Sequence, residues 1–314
     1  MARFVKYSLL LVVLNVTCWA QVSLSLAVQP HGTPRAVSSQ PSSTDNGIQY
    51  HGGSVMNQVN GVNVYLIWYG NWSNNTEPAI VTDFINDIGG TAYFNITSSY
   101  YDFNKFGGGV KDPVVNRVNF GGSITDNYSL GTNLSDNDVG NIVGFAIGLG
   151  APVGYPKLPE DPNGVYLVLG SKDVTEQSIA PLGPFCAWHS YGFALKGNSG
   201  AGVPIKVGFI SSSDEDPSFC QIQNPSPNNN PAADDAARAI AHELAETVTD
   251  PLYNGWWRTS DGLEMGDLCE RIFGNTKLLP NGSSYNLQFG TRLYLVQKLW
   301  VNARGGYCAL ALDE

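Results

Sequence analysis

Residues 232–251 read AADDAARAIAHELAETVTDP. Alanine, leucine and glutamate favour a helix, no glycine interrupts the run, and Pro251 pushes Asp250 out of the α region. The stretch is therefore a long helix from about Ala232 to Thr249. His242, Glu246 and Asp250 are four residues apart. At ~3.6 residues per turn each drifts only ~40° from the last, so the three are expected on one face. Zinc peptidases use the same geometry in H-E-x-x-H, with ligands at i and i+4 and the glutamate as general base. Here the pattern is H-E-x-x-E, with Glu246 at the second ligand position. Glu264 and Asp267 follow downstream. In a hydrolase, His242, Glu246 and Glu264 would hold the metal, Asp267 would complete the metal cluster by orienting a ligand, and Glu243 would take the proton of the bound water. One imidazole with two or three carboxylates is a harder donor set than the usual catalytic zinc site. The expected cofactor is a single divalent metal, zinc or calcium, with Mn²⁺ equally suited to the oxygens. The plainer alternative is two ordinary helix carboxylates beside a core histidine. His189 reads first as a hydrogen-bonded structural residue and second as a ligand from a facing strand. His51 reads as part of an entry turn.

Around this helix the pattern alternates between strand and helix. Val62 to Tyr69 (VNVYLIWY) and Val165 to Leu169 (VYLVL) are β-branched and aromatic, as buried strands are. Glu77 to Ile88 has helical spacing and stops at Gly89-Gly90. Ser135 to Leu149 opens on Ser-Asp and reads as helical. Strands are also expected at Tyr93–Thr97 and at Val114–Ile124, separated by a turn at Gly107-Gly108-Gly109. Two more cover 185–195 and 203–211, and a last one runs from Thr291 to Trp300. A polar loop spans Asp214 to Pro231. The fold class is α/β: a single mixed-sheet domain whose long helix carries the H-E-x-x-E motif, with a zincin-like arrangement as the form this would take.

The chain has 314 residues, 17 basic against 27 acidic, and a formal charge of −10. That balance excludes a nucleic-acid binder, which needs a basic footprint. Arg3 and Lys6 precede the apolar run Leu9–Leu14, which ends at Cys18-Trp19-Ala20 with small residues placed for cleavage. Residues 1–20 are a secretory signal peptide, 21–48 a flexible leader or propeptide, and 49–314 the folded domain. No later segment is long and apolar enough for a membrane span. Four cysteines remain after cleavage: Cys186, Cys220, Cys269 and Cys308. In a secreted chain they imply two disulfides with three possible connectivities, of which Cys186–Cys220 with Cys269–Cys308 is favoured because each closes a local stretch. Asn71, Asn74, Asn95, Asn127, Asn133 and Asn281 are glycosylation acceptors. Trp68, Trp72, Trp256 and Trp257 sit beside Asn and Gly and offer a sugar-stacking surface, against the commoner role of tryptophan in the core.

Several motifs recur in a known order: Tyr50-His51-Gly52-Gly53, VNVYLIWYGNW (62–72), VYLVLGSKDVT (165–175), the Cys186/His189 segment, AHELAETVTDP (241–251), EMGDLCERIFG (264–274) and RLYLVQKLW (292–300). Together the chain resembles the EXORDIUM-like, or phosphate-induced, protein family of land plants from about Tyr50 to Cys308. The resemblance implies a secreted protein of the apoplast or cell wall, associated with growth and cell expansion and with no established catalytic activity. Its implied partners are a cell-wall polysaccharide or an extracellular receptor. Three functions are open on the sequence: a growth-related extracellular protein, a zincin-like metal-dependent hydrolase with Glu243 as base, and a polysaccharide binder.

Overall fold

A computed structural model describes residues 46–103, 109–179, 182–183, 185–194 and 202–313, with the backbone of Leu24–Leu26. The signal peptide, nearly all of the 21–48 leader and two glycines of the 107–109 turn lie outside these residues. The architecture starts from Val62–Tyr69, labelled β2, in which every residue but Asn63 is buried. Such a strand must be covered on both faces. Alternation sends Val64, Leu66 and Trp68 into one core cluster, and Tyr65, Ile67 and Tyr69 into the other.

The remaining elements supply the two covers. Leu24–Leu26 is β1, Glu77–Ile88 α1, Val118–Asp126 β3, Asp136–Ala146 α2, Gly164–Gly170 β4, Ala187–Ala194 β5, Val203–Ile210 β6 and Pro231–Thr249 α3. The sheet runs β1-β5-β6-β4-β2-β3. β3, β2, β4 and β6 are mutually parallel, and β5 is antiparallel to β6. This is a mixed sheet between helices, α1 and α3 packing on one face and α2 on the other. Ser135 caps α2 through a reciprocal capping box with Asp138, and the Asn230 side chain accepts from Ala233 N at the start of α3.

α3 is buried along its whole length except at Pro231 and His242. Its alanines let it lie close between the sheet and a covering C-terminal region. That region is built of short ribbons, Leu287–Phe289 with Arg292–Tyr294 and Leu299–Val301 with Tyr307–Ala309. Disulfides join Cys186 to Cys220 and Cys269 to Cys308. Among the described residues no helix is long and apolar enough to cross a membrane.

Three segments differ from the sequence reading. Tyr93–Thr97 is not a strand: Phe94–Ser99 is a 3-10 helix, because Thr97, Ser98 and Ser99 each donate a hydroxyl to the carbonyl three residues back. The strand expected from Val114 begins at Val118. Thr291–Trp300 is split, since Asn286 bonds the backbone of Val296 and diverts the chain between the two ribbons.

Ile240 is fully buried on α3. Ile240→Ala should cost about 2–5 kcal/mol in urea unfolding, while Val153→Ala, on a fully exposed side chain, should stay within about 0.5 kcal/mol. Equal effects would contradict the placement of α3 in the core.

Candidate metal centre

Three elements meet at Glu246. α3 supplies His242, Glu243 and Glu246. β5 supplies His189, which alternation turns toward α3 while its neighbour Trp188 joins the α2 side. The segment 264–269 supplies Glu264 and Asp267. That segment is fixed by Trp300 N donating to Met265 O, Gln297 Nε2 donating to Gly266 O, and the Cys269–Cys308 bond.

Glu246 is fully buried. Its Oε1 accepts from the backbone N–H of Gly266 and of Asp267, both at 3.0 Å. His242 Nε2 lies 3.1 Å from the same oxygen and 3.5 Å from Asp267 Oδ1. On the other side His189 Nε2 lies 3.6 Å from Glu246 Oε2 and 3.1 Å from Glu264 Oε2. Asp267 Oδ2 accepts from Glu264 N, and Tyr253 donates its hydroxyl to His189 O. Gly266 leaves no room for a side chain: a Cβ there would come 2.8 Å from Glu246 Oε1 and 2.9 Å from the His242 ring.

The potential ligands fall into two sets sharing Glu246: His189, Glu243 and Glu246, all buried, and His242, Glu246 and Asp267, which is partly accessible. Within each set the donor atoms lie within 4.8 Å of one another. Ligand bonds of about 2.0–2.1 Å in a tetrahedron put donors roughly 3.3–3.4 Å apart, and the two contacts of His242, at 3.1 and 3.5 Å, bracket that spacing. Relative to the sequence reading, Asp267 joins His242 and Glu246, whereas Glu264 pairs with His189. Asp250 leaves the expected face. It ends the helix instead, its Oδ1 accepting from Gly255 N at 2.6 Å.

Charge is unbalanced here. Two imidazoles face Glu243, Glu246, Glu264 and Asp267. Burial opposes charging of His189 and His242, but the adjoining carboxylates more than reverse it and hold both well above the usual histidine range. Burial raises Glu264 well above the carboxylate range and Glu243 to about 7. All four groups thus retain protons that water would remove. Glu243 Oε2 is buried without a hydrogen-bond partner among the described residues.

His242, Glu243 and Asp267 line a cleft of about 300 Å³. Its other walls include Arg238, Arg271, Gln297 and the strand end at Cys186. Arg238 was not apparent as a site residue from sequence. The available signal was its spacing, one helical turn before His242. His51 is structural: its ring stacks on Trp257 at 3.5 Å and contacts Trp257 O. Trp68 and Trp256 are buried, Trp72 packs edge-on against Trp68, and Trp256 donates to Tyr101 O, so these rings form core rather than an open platform. Five of the six glycosylation acceptors are exposed, and Asn95 is half-buried.

In metal-free protein the folded state binds more protons than the unfolded chain. For the two histidines this stabilisation is present at low pH and fades as pH rises through their raised values. For Glu243 it fades between 4.5 and about 7. Thermal unfolding in chelator should therefore show a lower Tm at pH 8 than at pH 6. Excess divalent cation should raise Tm more at pH 8, where fewer protons compete. A cation effect that is absent or independent of pH would contradict the charge argument.

The phosphate-induced protein 1 conserved region matches residues 48–310. Protein EXORDIUM-like 3 of Arabidopsis thaliana is 30% identical over 281 residues, covering 81% of this chain and 80% of its own. Protein EXORDIUM-like 5 of the same plant is 28% identical over 315 residues, covering 87% and 82%. No solved structure matches.

Proposed function

The chain belongs to the phosphate-induced protein 1 family, and from that premise we propose that it is a secreted protein of the cell wall or apoplast, taking part in growth and cell expansion through a metal-dependent hydrolytic centre. The signal-like N-terminus, the two disulfides and the exposed glycosylation acceptors support an extracellular setting. The observation that carries the hydrolytic reading is the carboxylate excess around Glu246, buried yet bordering a cleft.

His242, Glu246 and Asp267 are the ligands in this reading because their donor spacing fits a metal and two of them, His242 and Asp267, line the cleft. A bound divalent cation would supply the Lewis acidity that activates water and polarises a carbonyl. His189 and Glu264 act from behind. Glu264 holds His189 beside the second oxygen of Glu246, and the backbone N–H groups of Gly266 and Asp267 fix the first. Glu243 borders the same space with an oxygen that no described residue uses. From that position it can accept a proton from water and return it to the leaving group. Zinc suits the imidazole, and calcium or manganese the oxygens.

Elemental mass spectrometry of the purified secreted protein, with peptidase assays, tests this reading. One equivalent of a divalent metal is expected in the wild type. Glu243→Gln should keep the metal and lose at least about a hundredfold in hydrolysis, the scale of general base catalysis. His242→Ala should lose both. Metal-free wild-type protein, or a Glu243→Gln variant as active as wild type, would defeat the reading.

A further inference from the structure

Arg238 stands on α3 one turn before His242 and is 7% exposed. Its neighbours use little of its hydrogen-bonding capacity. One Nη2 proton goes to Cys220 O at 3.3 Å. Asp235 Oδ1 is 3.8 Å from Nε, beyond hydrogen-bonding reach. Both Asp235 oxygens are already engaged, by Ser213 Oγ at 2.9 Å and Ile222 N at 3.2 Å. Nε is buried with no partner among the described residues. A buried guanidinium left this way is unfavourable unless something else satisfies it.

A second cation borders the same space. Arg271, from beyond the Cys269 disulfide, lines the cleft with Arg238. It donates through Nη2 to Phe219 O at 2.7 Å, and its Nε is 3.7 Å from Glu270. Burial disfavours the charge on Arg238, Asp235 supports it, and the nearby Arg271 opposes it while Glu270 and Glu243 support it. Glu243, Asp267 and Glu270 line the same cleft, so its charge is mixed, and the feature that calls for an anionic partner is the buried guanidinium of Arg238 with donors unspent.

Resting on the hydrolytic reading above, we infer that the cleft takes a peptide bearing a carboxylate, and that Arg238 and Arg271 grip this carboxylate about one helical turn from the reacting bond. The guanidinium fork matches the planar carboxylate. Along α3 the step from Arg238 to His242 is about 6 Å, roughly two residues of extended chain. A peptide fits better than an acidic polysaccharide. Cation-assisted attack needs a polarisable carbonyl, which an amide has and a glycosidic bond lacks. Phe185, Phe219 and Leu263 beside the arginines give the apolar contact that amino-acid side chains use.

The test is binding to the full secreted Glu243→Gln protein, in which cleavage does not complicate the readout. The probes for fluorescence anisotropy are dansyl-hexaalanine with a free carboxyl, the same peptide amidated, and an amidated version with Glu at the fourth position. Trigalacturonic acid serves as a competitor. One or both carboxylate peptides should bind about tenfold or more tighter than the neutral amide, and which does so locates the carboxylate at the chain end or on a side chain. Added Arg271→Gln, on a half-exposed side chain, should remove most of that preference. Added Arg238→Met should do the same. Equal affinity for all three peptides, an unchanged preference in the Arg271→Gln protein, or tighter binding of trigalacturonic acid than of any peptide would overturn the inference. Metal content of the same samples separates the two readings. Metal-free protein that still prefers carboxylates keeps the anion subsite and loses the hydrolase, whereas metal-loaded protein without the preference loses only the subsite.

Discussion

The fold is organised around one buried carboxylate. Glu246 sits at the meeting point of α3, β5 and the 264–269 segment, held by two backbone N–H groups and two imidazoles. A charge in that position is costly unless it is paired and fully hydrogen-bonded, so each element delivers a partner. The absence of a side chain at Gly266 lets the segment close over it. The C-terminal ribbons and the Cys269–Cys308 bond then hold the segment down. These features also leave more carboxylate than imidazole, which keeps protons on His189 and His242, while burial keeps them on Glu243 and Glu264.

Much of this was legible in the sequence, for physical reasons. The runs VNVYLIWY and VYLVL are apolar on both faces, which only a central strand satisfies, and the alanine-rich stretch before Pro251 is an uninterrupted helix. The i, i+4 spacing of His242 and Glu246 survives directly as a 3.1 Å contact. What failed was governed by local competition or tertiary contacts. Hydroxyl groups bonding backward turned Tyr93–Thr97 from strand to 3-10 helix. Extrapolating helical periodicity one turn too far put Asp250 on the ligand face, although the proline that ends the helix also removes it. The exchange of roles between Glu264 and Asp267 depends on which of two histidines each one meets, and His189 lies in a strand more than fifty residues before His242 in sequence.

The same reasoning separates the tryptophans from the arginines. Trp68 and Trp256 satisfy their burial by packing, and the Trp256 ring N–H finds a carbonyl. Arg238 is buried to a similar degree without comparable satisfaction. Its cleft borders the Cys186–Cys220 bond, which ties the loop carrying Cys220 O to the end of β5. Oxidation of this pair therefore bears on the shape of the cleft as well as on the stability of the domain.

The central claim is that a divalent cation completes the cluster around Glu246. Anomalous X-ray diffraction from crystals of the protein, grown without chelator, tests it most directly. The account predicts a single strong anomalous peak within bonding distance of His242 Nε2, Glu246 and Asp267. A peak-free map with His242 and Glu246 in direct contact would show that protons alone balance the site.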